Sequence, residues 1–553
     1  MIVPPSPGAM PSIFEIEEIL CLFLSFCDDP SLAVLARTSK LFSESALDVL
    51  WSEMHSFTQL LKLFGEDLIS FNETQGMVKP VVNHLIVPRD WNRFTLYAHR
   101  VRRWLQEDLV YVDEAVVDHL AFGRLPGYIL PRLTHMEVMA TSVSGLHLQT
   151  LLIAPTLESV AIWNNAPSMP ATRQMNTFFR TLADRAPSMR KFILHWGEGQ
   201  TIPPPFIDGI ADVFSVENSK LSTIHLWSPL CIDARVFSLL AQLPNLTTLH
   251  LNLLGVVDTN TICQSVPKAG CFPNLQNVYL AGILEELHKT LRYFGDSKST
   301  LSLGFSVREY PKAKSLHLLF SSVASNFPHL RILQFNVPKD EIDAVAANAN
   351  YIKSPDLYYH DVSVLRPLLS LRGLAAVHLE LGIPLHLADT DLVTIGSSWP
   401  AIEVLNLSSD PYCDRTRAVR PELTIQGLFQ LASMCRSLQH LGLYVDYSTH
   451  LSEELVASCD FLSNTIVHLD VGRSWVVQPE LVAALLSGVF PRLKIFQWHG
   501  MDDPESWTEL SDGHSPGWRR VFDLLPVFRA VRANEVRVRS KIDPPEASIM
   551  VID

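Results

Sequence analysis

One phrase recurs along this chain and limits what it can fold into. Residues 243–253 read LPNLTTLHLNL, 272–280 read FPNLQNVYL, 327–335 read FPHLRILQF and 490–498 read FPRLKIFQW. Weaker copies begin at Ala154 (APTLESVAI), Ala186 (APSMRKFIL), Trp399 (WPAIEVLNL) and Cys435 (CRSLQHLGL). The shared core is apolar-x-x-apolar-x-apolar. Its last two apolar residues, such as Leu249 and Leu251, stand two apart and share one face of a strand. Leu246 enters the same core from the preceding turn, and the Pro before it marks the end of a helix. One such segment cannot bury its own apolar face, whereas stacked neighbours bury a continuous core.

Helical patterns alternate with these phrases, most clearly at 177–186, 233–243, 284–294, 423–434 and 479–490. A strand-plus-helix unit of about 25–36 residues predicts an α/β leucine-rich-repeat solenoid over 131–500. Its parallel sheet is expected to curve, with the helices on the convex side. TLSLGF at 300–305 reads as a degenerate copy. The stretches 338–356 and 415–422 break the rhythm and read as insertions, which in solenoids gather on one face. Beyond 500 the pattern decays into a C-terminal cap or tail, 501–553. There 521–528 is helical, and EVRVRSKID alternates as an edge strand does.

Composition narrows the function. An apolar fraction of 47% belongs to a folded chain. No apolar run is long enough to span a bilayer, and no secretory leader is evident, which points to an intracellular protein of cytoplasm or nucleus. Eight cysteines without a C-x-x-C pair read as buried free thiols, Cys21, Cys27, Cys435 and Cys459 in apolar helical patterns. The sequons at Asn72, Asn245 and Asn406 then read as chance matches. A net charge of −14 argues against nucleic acid as a partner. No phosphate-binding Gly-rich loop, H-E-x-x-H or G-x-S-x-G is present, so neither an enzyme nor a cofactor is indicated.

Residues 1–10 read as a disordered tail and 11–55 as a three-helix domain. Ile16, Ile19, Leu20 and Phe23 form one apolar stripe. Asp29 caps a second helix with Pro30 at its first position. A third helix opens at Ser43 or Glu44 and runs to Trp51. Such a small unit carries more apolar surface than its core needs, which suggests a partner. Residues 56–130 form a helical connector and N-terminal cap, with a strand at 81–87 and a helix at 88–105. The arginines of that helix, Arg89, Arg93, Arg100, Arg102 and Arg103, read as its solvated face.

The stretch 15–51 resembles an F-box, in the form found in fungal proteins that join an F-box to leucine-rich repeats. The matching elements are E-I-L at 18–20, S-F-C-D at 25–28, P-S-L at 30–32 and Trp51. The Pro that opens the motif in that family is Glu17 here. The resemblance implies binding of a Skp-family adaptor, and through it a cullin, by Ile16, Ile19, Leu20, Phe23, Leu32 and Leu35. It implies a non-catalytic substrate receptor of an SCF-type ubiquitin ligase.

Strand alternation defines the other surface. The residues beside and between the paired strand leucines face out of the core. They include Trp163, His195, His225, Trp227, His250, Tyr279, His378, Asn406 and Tyr444, the expected target-binding set. The histidines come from separate repeats without i, i+4 pairing, so they read as surface rather than metal ligands. Three functions remain open on these grounds: a ligase receptor for an unidentified protein target, a protein-binding scaffold with no ubiquitin role, and an enzyme built on the two insertions.

Overall fold

The computed structural model describes residues 16–74, 77–105, 114–123, 127–140, 143–164, 172–196, 204–215, 220–227, 232–254, 271–294, 299–338, 354–411, 420–449, 451–452, 454, 462–498 and 515–542. The expected tail at 1–10, both insertions for the most part, and Cys459 lie outside these residues. The chain divides into two compact units, Met1–Pro267 and Lys268–Asp553. The division falls inside the array expected at 131–500.

The first unit opens with α1 (Glu17–Leu24), α2 (Asp29–Thr38) and α3 (Lys40–Leu50). Asp28, not Asp29, caps α2, its carboxylate accepting from the Ser31 N–H at 3.1 Å, so Pro30 falls one position inside the helix. α3 begins a turn earlier than expected, at Lys40. β1 (Glu53–Met54) and α4 (Phe57–Leu61) follow. An antiparallel hairpin, β2 (Ile69–Thr74) and β3 (Met77–Val82), replaces the strand expected at 81–87. The helix expected over 88–105 stops early: a short 3-10 turn leads into α5 (Trp91–Ala98), and β4 (Arg103–Trp104) joins the sheet. The parallel sheet therefore starts at β1 and β4, before residue 131. It continues through β5 (His135–Met139), β6 (Ser159–Asn164), β7 (Lys191–Trp196), β8 (Thr223–Leu226) and β9 (Thr248–Asn252) in chain order.

The second unit repeats the plan with β10 (Asn277–Gly282), β11 (Ser302–Val307), β12 (Ile332–Asn336), β14 (Ala376–Glu380), β16 (Val404–Leu407), β17 (His440–Leu443), β18 (His468–Asp470) and β19 (Ile495–Gln497), all parallel. Two residues each of β13 (His360–Asp361) and β15 (Leu385–His386) pair separately. The weak copy at 300–305 is a full strand, paired on both sides. Both units are of the leucine-rich-repeat class.

The recurring phrase has a local cause. In seven copies the first residue's carbonyl accepts from the N–H three residues on, as in Leu275 to Phe272 at 3.3 Å, Leu330 to Phe327 at 3.2 Å and Leu493 to Phe490 at 3.2 Å. This is a β-turn, and Pro at its second position has φ already set for it. The turn drops the fourth residue into the core and launches the strand. Leu246, Leu249 and Leu251 are all fully buried. Helices close the core from one side: Phe320 of the helix Ala313–Asn326 meets Phe335 of β12 edge-on at 6.1 Å. Truncating one of these buried leucines to Ala costs about 2–5 kcal/mol.

The C-terminal segment departs from expectation. Ser515–Ile542 is one helix, with Pro526 inside it, and it absorbs the edge strand expected at EVRVRSKID. Trp518 anchors it, its indole donating to the Ser474 carbonyl at 2.8 Å and packing on Tyr447 and Phe496.

Candidate interaction surfaces

The three-helix head has one small core: Leu20, Leu24, Leu32 and Ala46, with Leu35, Phe42, Val49 and Leu50 partly buried against it. Two of the six expected adaptor contacts are therefore interior. Leu20 and Leu32 fill the centre of this small unit together with Leu24 and Ala46. Leu35 is half-buried. Ile16, Ile19 and Phe23 stand out from the surface, and so do Leu22 (62% exposed) and Phe26 (83%). Ile16, Ile19, Phe23 and Phe26 recur at spacings of three and four, one stripe of α1 and the turn after it. Val34 and Leu41, also exposed, extend the apolar surface to α2 and α3. Leu22 and Phe26 belong to the surplus apolar surface expected of so small a unit. Val34 and Leu41 carried no signal.

The head is tied to the first unit by Arg100. Its guanidinium donates to the Glu44 carboxylate at 2.6 Å, to the Glu44 carbonyl at 3.2 Å and to Asp48. Its side chain is only 10% exposed, which corrects the reading of this arginine as part of a solvated face. Burial works against its charge, but Glu44 and Asp48 outweigh that and raise its pKa, while Arg100 lowers that of Glu44. Trp51 packs on Tyr97 of α5 at 4.7 Å beside this clamp.

On the sheet face away from the helices, strand register gathers the expected target-binding residues in rows. Trp163 of β6 and His195 of β7 are register partners with rings 5.1 Å apart. The Trp227 N–H donates to the Leu194 carbonyl at 2.7 Å, which sets Trp227 beside His195. His225 and His250 pair between β8 and β9, their rings stacked at 3.9 Å and 4°. Burial first, then His250 and Lys191, pushes the His225 pKa down to about 4, and burial lowers that of His250.

In the second unit the same rows carry a different chemistry. The Tyr279 ring occupies the space where a Cβ at Gly304 would stand, and the His378 ring meets Glu380 at 3.0 Å. Asn406 and Tyr444 are buried, contrary to expectation. Asn406 donates across Gly442 to Asp470 at 3.4 Å. The Tyr444 hydroxyl accepts from the Trp475 indole at 3.2 Å. Burial raises the Asp470 pKa, against the hydrogen bonds from Ser409 and the Gly472 N–H.

Among the described residues, no three His, Cys, Asp or Glu side chains are placed to hold a metal ion, and no helix is long and apolar enough to cross a membrane. Cys435 is a buried free thiol whose pKa burial pushes up to about 11, while Cys21 and Cys27 are half-buried.

No protein-family model matches the chain, and no curated protein does. Solved structures match it at low similarity. A chain of the yeast Rad7–Elc1 complex is 14% identical, with 65% of this chain and 79% of that one covered and a TM-score of 0.32. A leucine-rich-repeat protein of Leptospira interrogans is 13% identical, with 67% and 79% covered and a TM-score of 0.32. The leucine-rich-repeat protein LegL7 of Legionella pneumophila is 17% identical, with 59% and 96% covered and a TM-score of 0.24. The assignment of fold rests on this chain's own register and burial.

Proposed function

We propose that the chain is a non-catalytic receptor: its head binds a Skp-family adaptor of a cullin-based ubiquitin ligase, and its repeat faces bind a target protein. The observation that carries this reading is the outward stripe of Ile16, Ile19, Phe23 and Phe26 beside Leu22, on a helix whose other side already fills the head's core. An apolar surface left over after the core is complete is the mark of an interface. The F-box resemblance of 15–51 names the partner. Ubiquitin transfer would follow from proximity, the bound target raising the effective concentration of its lysines near the charged enzyme. Arg100 and Trp51 serve this by fixing the head's orientation on its own unit.

Co-expression with a Skp-family adaptor followed by size-exclusion chromatography tests the reading. The variant is Ile19→Asp with Phe23→Asp, both exposed, so the fold is kept. Co-elution abolished by the pair supports the receptor. A folded wild-type chain that never co-elutes sinks it. The second reading, a protein-binding scaffold without a ubiquitin role, is favoured by Glu17, which places a carboxylate in the first turn of α1 where the family carries Pro.

A further inference from the structure

The strands β6 to β9 carry no Asp or Glu, and one cation, Lys191, which is exposed. In a chain of net charge −14 this is a local reversal of character. Onto the same face, register brings Trp163, His195, Trp227 and the stacked pair His225 and His250. The groups facing His225 are Lys191 and Ile193 from β7 and His250 from β9. On the opposite side of these strands Ile224, Leu226, Leu249 and Leu251 are fully buried and present nothing polar.

We propose that this face of the first unit binds an acidic peptide segment of a partner protein, aromatic rings taking its apolar side chains and Lys191 with the imidazole pair taking its carboxylates. The inference rests on the reading of the repeat faces as target surfaces and names the chemistry of the target. Rigid aromatic rings give large contact area for little lost freedom and are enriched at interface centres. A nucleic acid fits less well, because phosphate binding draws on several cations and these strands hold one. Imidazoles kept neutral by burial, and in His225 also by His250 and Lys191, are stabilised in their charged form when a carboxylate arrives. Binding then takes up a proton, and affinity rises as pH falls.

Peptide phage display on the full chain tests this, followed by fluorescence anisotropy with the selected peptides. The selected peptides should carry net negative charge with interspersed aromatic or aliphatic residues. Their affinity should fall at least about tenfold in Lys191→Glu, a substitution at an exposed position that leaves the core intact. With His225 starting near 4 and restored to its ordinary value in the complex, affinity should rise about tenfold between pH 7.5 and 5.5. His225→Gln should abolish that rise. Selection of neutral or basic peptides, no enrichment, or acidic binding unmoved by both variants overturns the proposal. These outcomes leave adaptor binding untouched, and loss of adaptor binding leaves them untouched, so the two readings fail separately.

Discussion

His360 offers a measurable consequence of burial. It is fully buried on β13, with Nδ1 2.7 Å from the Tyr358 carbonyl. Nδ1 is therefore the protonated nitrogen of the neutral ring. Burial drives its pKa down to about 4; the Tyr358 and Pro311 carbonyls and Asp361 oppose this without overcoming it, and His386 adds to it. An unfolded histidine titrates near 6.5, so below that pH the unfolded chain binds more protons than the folded one. The stability contribution is complete above pH 6.5 and is lost as pH falls toward 4. At pH 5.0 a pKa difference of that size removes about 2 kcal/mol, and the limit below pH 4 is about 3 kcal/mol. His360→Leu loses the bond to Tyr358 at every pH but has nothing to titrate. The neighbouring His386, also lowered by burial, titrates in both proteins and cancels in the comparison. The assay is urea unfolding of the full chain at pH 7.5 and 5.0, read by hydrogen exchange of the segment 354–366. Wild type should lose about 2 kcal/mol more than the variant between the two pH values. An equal loss in both would refute the claim that the fold holds His360 neutral.

Two further outcomes follow from the second unit. Asp446 is buried and accepts from Arg420 at 2.6 Å, from the Ser448 N–H at 2.8 Å and from both neighbouring hydroxyls. Burial opposes its charge, but these donors hold its pKa at about 2, so its contribution is present above pH 4 and is lost as pH falls through 2. Asp446→Ala should cost about 2–3 kcal/mol at neutral pH in denaturant melts, since Arg420 regains water but the Ser448 N–H loses its acceptor. Gly472 has φ of 46° and donates to Asp470 at 3.0 Å, and an added Cβ would lie 2.0 Å from the Ser409 carbonyl oxygen. Gly472→Ala should therefore cost about 3 kcal/mol or more and expose the 408–410 turn to protease, whereas an unchanged melt would place no constraint there.

The repeats were legible because one physical requirement recurs: a turn, a dropped leucine and two strand leucines, each visible as spacing. What failed was where two patterns compete. The alternation of EVRVRSKI is short, and a helix anchored at Trp518 and packed on the helix Pro479–Val489 extends through it at less cost than a new strand would start. In α1, periodicity identified an apolar helix but not which of two adjacent stripes turns inward, so Leu20 and Phe23 were grouped although one is core and the other surface. Asn406 and Tyr444 were assigned outward by alternation, which is true of strand geometry. Their burial comes from side chains reaching over neighbouring strands and from Trp475, which no local pattern encodes.

The same comparison bears on which face does the binding. In the second unit the polar groups of the face already hold one another: Asn406 and Ser409 on Asp470, His378 with Glu380, His468 with Gln497 at 2.7 Å. A partner offering hydrogen bonds there exchanges one bond for another and gains little. Gly442 is part of that arrangement, for a Cβ at this position would stand 2.8 Å from the Asn406 amide that crosses it. The rows of the first unit carry stacked rings, Trp163 with His195 and His225 with His250, together with a lysine that has no strand carboxylate beside it. An incoming carboxylate favours the charged form of the His225 ring, a gain that the second unit's rows, with their polar groups already engaged, do not offer. Selectivity for an acidic target follows from that difference, because a basic segment meets Lys191 with like charge and finds no anion on β6 to β9 to offset it.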